Sequence, residues 1–131
     1  MLQRNIKQSL TALEVFNKLE EKIYKEEVSI ISIYDTSPNC IIYNKVGTVI
    51  NIRNKNDSII DIVLYKDGEL EIRNSRLTKS YMQILSDEEY EDVKKRFLKI
   101  AQKYQDDFEN WVKDVDDINE IDKSLIEYLK K

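Results

Sequence analysis

The hydrophobic and polar positions along the chain divide it into a helical start, a β-rich middle and a helical end. The most regular stretch runs from residue 85 to 115 and predicts an amphipathic helix of about 28 residues, roughly 42 Å long. Its apolar stripe consists of Tyr90, Val93, Phe97, Ile100, Tyr104, Phe108, Trp111 and Val115. Ser86 with Glu89 matches a capping box, and Leu85 with Tyr90 matches a hydrophobic staple, so we expect the helix to begin after Ser86.

The two ends of the chain carry further helical patterns. A first helix is predicted over residues 3–25 from apolar residues at helical spacing, namely Leu2, Ile6, Leu10, Leu13, Phe16 and Ile23. Near the other end, several Asp and Asn residues lie close together and are poor helix formers. We therefore expect a break near residues 115–118 and a short final helix over about 118–130, although the apolar stripe can also be continued as one helix.

Short β-branched segments separated by turn residues fill the middle of the chain, and they predict a run of strands. The predicted strands cover residues 28–34, 40–43, 48–53, 58–65 and 69–73, and residues 81–85 form either a last strand or an extended lead into the helix. Asp67–Gly68 is the strongest hairpin signal, and connections this short allow only antiparallel pairing. The segment 58–65 is apolar on both faces, which is typical of a central strand covered on both sides.

These elements predict an α+β fold in a single domain over residues 1–131. The N-terminal helical part covers residues 1–27, an antiparallel meander of about five strands covers 28–85, and the helical part covers 86–131. Such a sheet is only about 20–25 Å wide. A helix of the predicted length can therefore extend past the sheet, which would leave the Phe108 and Trp111 side chains as exposed anchors. The simpler prediction is that both belong to the core.

Composition adds the class of protein and its setting. The chain is 41% hydrophobic and 35% charged, a balance typical of a folded domain rather than a disordered segment. No apolar run approaches the ~20 residues of a membrane span, and the N-terminus has no signal-peptide pattern. The single Cys40 excludes an internal disulfide. We expect a cytoplasmic protein, and 18 Ile with 10 Asn point to an AT-rich genome.

Most catalytic chemistry has no candidate residues. The chain contains no histidine, and its only glycines, Gly47 and Gly68, lie in predicted turns rather than in a phosphate-binding loop. We therefore expect no enzyme activity, no cofactor and no metal site. One alternative is a magnesium-dependent nuclease that uses Asp61 and Glu71 on adjacent strands, with Arg73 in place of the usual lysine. Cross-strand charge pairs explain the same residues.

The uneven charge distribution favours a protein partner. The net charge is −4, and residues 86–131 carry 14 acidic and 9 basic side chains. Direct nucleic-acid binding is therefore not expected, whereas an acidic patch can dock on a basic protein surface. The predicted partner-binding residues are Asp106, Asp107, Trp111, Asp114, Asp116 and Asp117. The same residues can equally form a solvated helix face.

The leading hypothesis is a small non-enzymatic protein-interaction module, such as an inhibitor or immunity-type protein of a phage, mobile element or bacterial conflict system. A homo-oligomer formed through the long helix is a further alternative. The alternative is a small-molecule or nucleotide binder that holds an anion with a basic cluster on the sheet, because arginine recognises phosphate and carboxylate bidentately. That cluster would consist of Arg53, Arg73, Arg76 and Lys79.

Overall fold

A computed structural model of the chain describes residues 10–38, 43, 45–74 and 80–114. The elements follow the predicted α+β order: α1 Ala12–Tyr24, β1 Ser29–Thr36, β2 Gly47–Arg53, β3 Ile59–Tyr65, β4 Glu69–Asn74, β5 Ser80–Ile84 and α2 Asp87–Asp114. The chain divides into two compact units, Met1–Phe97 and Leu98–Lys131, and α2 contributes residues to each. Within the described ranges, no helix combines the length and apolar character that crossing a membrane requires.

Helix α1 begins later than predicted. Leu10 is not helical, and Thr11 is an extended N-cap whose hydroxyl accepts a hydrogen bond from the Glu14 amide at 3.1 Å. The Glu14 carboxylate in turn accepts a hydrogen bond from the Thr11 amide, which completes a capping box, so the helix begins directly after Thr11. Residues 3–9 of the predicted helix lie outside the described residues.

The end of α1 is also set by a local hydrogen-bond pattern. The Glu27 amide donates to the Lys22 carbonyl at 2.9 Å, and the Glu26 amide donates to the Ile23 carbonyl at 3.1 Å. This is a Schellman motif, and its left-handed position is occupied by Glu26 with φ of 60°. Because glycine is the residue that adopts this conformation without steric cost, Glu26 is a locally unfavourable choice.

The five strands form one sheet in the order β1-β2-β3-β4-β5, and every neighbouring pair is antiparallel. Strand β3 lies in the middle, as its two apolar faces predict: Ile62 and Val63 point to opposite faces and both are fully buried. Strands β3 and β4 are joined through Gly68, whose φ of +98° closes the predicted hairpin.

The predicted strand at 40–43 is wrong at Tyr43, and the undecided segment 81–85 contains a strand. The segment 40–43 was expected to be a strand, but Tyr43 lies in no strand, and residues 40–42 lie outside the described residues. Strand β1 instead pairs directly with β2, and the ladder is interrupted by a bulge at Ile31. Residues 81–84 of the second segment lie in β5, which pairs with β4.

The two faces of the sheet are covered differently. On one face α1 packs against β4 and β5, and the Leu13 amide donates to the Gln83 side chain at 2.9 Å. The first part of α2 joins α1, because the Phe16 and Phe97 rings lie 5.4 Å apart. We call the opposite face the tyrosine face, since a buried cluster of Tyr43, Val49, Val63 and Tyr65 lies there.

Helix α2 confirms the predicted start and length of the long helix. It has 28 residues, and Ser86 forms both hydrogen bonds of the capping box with Glu89, at 2.9 and 3.2 Å. The buried side chains of its first half, Val93 and Phe97, lie on the predicted stripe. The predicted break at 115–118 and the final helix lie outside the described residues, and the single-domain organisation stays a prediction.

Candidate functional site

Two carboxylates lie on the tyrosine face, and each is surrounded by hydrogen-bond donors. The Asp61 side chain accepts from the Asn51 amide group with Oδ1 and from the Tyr43 hydroxyl with Oδ2. The Glu71 side chain accepts from the Tyr65 hydroxyl at 2.7 Å and from the Arg73 guanidinium at 3.0 Å. Every oxygen of the two carboxylates therefore has a donor, as the buried Glu71 and the half-buried Asp61 require.

Strand register is what brings these groups together. Asp61 pairs with Asn51 on β2 and with Arg73 on β4, so the three side chains share the tyrosine face. Glu71, two residues from Arg73, points to the same face and is 3% exposed. Tyr43 comes from the connection between β1 and β2 and lies over this row, with the Arg73 guanidinium 4.8 Å from its ring centre.

The network perturbs the titration of its tyrosines. Burial raises the pKa of Tyr43 far above its usual range, and the hydrogen bond to the Asp61 carboxylate raises it further. Burial likewise raises the pKa of Tyr65, with a second contribution from Glu71. Partial burial acts to lower the pKa of Arg73, but the hydrogen bond to Glu71 and the charge interactions with Glu71, Tyr43 and Tyr65 together outweigh this, and the pKa is raised. At neutral pH both tyrosine hydroxyls are therefore protonated and the Arg73 guanidinium is charged.

The nuclease hypothesis placed Asp61, Glu71 and Arg73 at one site, and the structure does bring them to one face. Their carboxylate oxygens, however, already accept hydrogen bonds from Tyr43, Asn51, Tyr65 and Arg73 itself. Across the described ranges, no group of three histidine, cysteine or acidic side chains could hold a metal ion. The geometry supports a structural role for this network.

The predicted anion site is only partly within the described residues. Arg53 is exposed at the end of β2, and Arg73 lies on the same face, two strands away in the sheet. The Arg73 charge is shared with Glu71, which competes with any added anion. Arg76 and Lys79 lie outside the described residues, so the anion-binding cluster stays a prediction.

The C-terminal half of α2 places two large aromatic side chains at the surface. Phe108 is 57% exposed and Trp111 is 53% exposed, and their ring centres lie 5.9 Å apart. The prediction that both belong to the core is wrong. The stripe on which they lie is buried at Val93, Phe97 and Ile100, so one face of α2 changes from buried to exposed along its length.

Acidic residues accompany this aromatic pair. Asp106 and Asp107 are exposed; Asp106 accepts a hydrogen bond from Gln102 at 2.8 Å, and Asp107 pairs with Lys103 at 2.5 Å. Asp114 is the last residue of α2, and Asp116 and Asp117 lie outside the described residues. The structure therefore places Asp106 and Asp107 within two turns of Trp111 on one helix, with Asp107 on the same side as the indole.

Sequence reasoning missed the tyrosine–carboxylate network, although one signal for it was available. The register of the Asp67–Gly68 hairpin places Asp61 opposite Arg73, which supports the grouping of Asp61, Glu71 and Arg73 in the nuclease hypothesis, but the Tyr43 and Tyr65 donors were not predicted. No comparable signal pointed to Tyr43, since its segment was expected to be a strand. Comparison of the chain with protein-family models, with curated proteins and with solved structures gives no match.

Proposed function

We propose that the protein is a non-enzymatic cytoplasmic protein that binds another protein through the C-terminal half of α2. The binding surface consists of Asp106, Asp107, Phe108 and Trp111, and we call it the acidic–aromatic surface. The observation that carries this proposal is the exposure of the paired Phe108 and Trp111 rings on the helix face that is buried at Phe97 and Ile100. Monomeric proteins rarely leave two adjacent aromatic side chains exposed on a regular helix, and such patches often mark interaction sites.

The chemistry of the surface indicates what kind of partner fits. Tryptophan side chains supply much of the binding energy at protein interfaces when they insert into a partner's pocket. The neighbouring Asp106 and Asp107 carboxylates favour a partner whose pocket is bordered by lysine or arginine. The proposed partner is therefore a protein with an apolar pocket and a basic rim, which suits an inhibitor or immunity-type role in a phage, mobile element or bacterial conflict system.

The first experiment is affinity capture of the tagged full-length protein from lysate of its native host, with light scattering on the same preparation. Trp111→Ala should abolish capture of the specific partner, because truncating a central aromatic anchor costs about 2 kcal/mol or more. Leu98→Ala is the matched control, since Leu98 is an exposed apolar residue of the same helix at 64% exposure. A partner that is retained by Trp111→Ala would overturn the proposal.

Charge reversal tests the acidic part of the surface separately. Asp106→Lys with Asp107→Lys should weaken binding to the captured partner and reduce its dependence on salt concentration, because screening acts on the attraction that these residues provide. Asp114→Lys extends the test to the end of the helix. Affinity and salt dependence that match the wild type would show that the acidic residues play no part in binding.

A further inference from the structure

Strand β5 forms one edge of the sheet, and no other strand of the described residues pairs with its outer backbone groups. The Leu85 amide donates to the Gly68 carbonyl at 2.9 Å, which makes these residues a hydrogen-bonded pair. Antiparallel ladders alternate, so the backbone groups of Gln83 and Tyr81 also point toward β4. The N–H and C=O groups of Ser80, Met82 and Ile84 therefore point away from the sheet, and no strand in the described part of the chain pairs with them.

The side chains of β5 are apolar and exposed to an unusual degree for an edge strand. Tyr81 is 44% exposed, Met82 is 56% exposed and Ile84 is 79% exposed. Ser80–Ile84 contains no charged residue, although 35% of the chain is charged. Edge strands of monomers usually carry lysine, proline or a bulge, which prevent pairing with other chains. Among the described residues, the opposite edge of the sheet has such a device, the bulge at Ile31 in β1.

We propose that β5 pairs with β5 of a second copy of this chain, antiparallel and across a twofold axis at Met82. In this register Met82 lies opposite Met82 of the second copy, and Ser80 lies opposite Ile84. Each of these residue pairs exchanges two backbone hydrogen bonds, because all three residues direct their N–H and C=O groups outward. The two sheets then form one continuous sheet, and the exposed Met82 and Ile84 side chains pack together on the tyrosine face.

A second copy is favoured over another partner because the strand is complementary to itself. A twofold axis at Met82 places residue 82 opposite its own counterpart, so a charge at this position would face a like charge. The five residues Ser80–Ile84 are all neutral, and the residue on the axis has a flexible apolar side chain. An antiparallel pair also needs no change in the conformation of β5, which is already extended.

The test is light scattering of the full chain over a range of concentrations, and the expected result is a dimer that dissociates on dilution. Met82→Lys brings two ammonium groups together at the axis and removes the packing between the two Met82 side chains of the dimer. It should therefore weaken dimerisation by roughly tenfold or more. Ile31→Lys on the opposite edge is the matched control and should leave the dimer intact. Mixing Met82→Lys with Met82→Glu should restore pairing as a heterodimer, because each lysine then lies opposite a glutamate.

A backbone variant tests the hydrogen bonds themselves. Met82→Pro removes an N–H that points away from β4, so it should break the dimer while the sheet stays folded, as judged by circular dichroism. A protein that is monomeric at every concentration would overturn the proposal. So would a dimer that survives both Met82→Lys and Met82→Pro, or one that is lost in Trp111→Ala alone, because the interface would then lie elsewhere.

Discussion

The tyrosine face should make the protein unusually sensitive to alkaline pH. The pKa values of Tyr43 and Tyr65 are both raised in the folded state, chiefly by burial. Unfolding exposes both hydroxyls to water, where tyrosine titrates near pH ~10. A raised pKa in the folded state means that the folded chain binds more protons above this pH. The stability that these groups contribute is therefore complete below pH ~10 and is lost as the pH rises toward the folded-state pKa values.

The size of the loss follows from the linkage between proton binding and folding. At pH ~11 the two tyrosines are ionised in the unfolded chain and still protonated in the folded one, so each should reduce the free energy of unfolding by about 1.4 kcal/mol. The two together should reduce it by about 3 kcal/mol, which is a large share of the 5–15 kcal/mol typical of a small domain. This magnitude depends only on the folded-state pKa values lying well above 11.

The assay is urea unfolding followed by circular dichroism at pH 7, 9, 10 and 11, with the free energy extrapolated to water at each pH. Tyr43→Phe and Tyr65→Phe should each lose about 1–3 kcal/mol at pH 7, since each leaves a carboxylate oxygen without its donor. Above pH ~10, however, each variant should lose stability less steeply than the wild type, by about 1.4 kcal/mol at pH ~11. Tyr24→Phe, at an exposed position on α1, is the matched control.

This reasoning would be refuted if the free energy of unfolding depended on pH in the same way in the wild type and in the tyrosine variants. If the wild type and the Tyr43→Phe/Tyr65→Phe double variant lose the same free energy of unfolding between pH 9 and 11, the two hydroxyls are not protected from ionisation. General repulsion among the remaining ionisable groups acts on all variants alike, so it cancels in the comparison. A stability difference between the wild type and the variants that stays the same from pH 7 to pH 11 would show a packing effect without the proposed titration.

Three further predictions concern local conformation and exposure. Glu26→Gly and Asp57→Gly should each raise the free energy of unfolding by about 0.5–1 kcal/mol in thermal or urea unfolding, because both residues have positive φ (60° and 62°) that glycine adopts without strain. Gly47→Ala should lower it by about 1–3 kcal/mol in the same assays, since a Cβ atom would lie 2.7 Å from the Leu64 carbonyl oxygen in the neighbouring strand, and backbone cannot move aside cheaply. The fluorescence of Trp111, the only tryptophan, should be quenched efficiently in the isolated protein, and the nearby carboxylates should raise the ratio of caesium to iodide quenching above that of free tryptophan. Weak quenching by both ions would show that the indole is covered.

Local patterns in the sequence were sufficient for most of the secondary structure. The i, i+3, i+4 spacing and the Ser86–Glu89 capping box predicted α2, because both are properties of one continuous segment. Alternation and turn residues predicted β2, β3 and β4 for the same reason. The Thr11–Glu14 capping box was present in the sequence too, and reading it would have placed the start of α1 correctly.

Pairing and exposure were decided by tertiary structure. The apolar segment 40–43 has strand propensity, but propensity does not decide which segments pair: Tyr43 lies in no strand, and β1 pairs directly with β2. Likewise, an apolar stripe on α2 specifies which face is apolar and not how far along the helix that face is covered. The sequence alone therefore determined the elements and their apolar faces. Only the fold decided that Tyr43 meets Asp61 and that Trp111 stays exposed, because both depend on contacts between residues far apart in the chain.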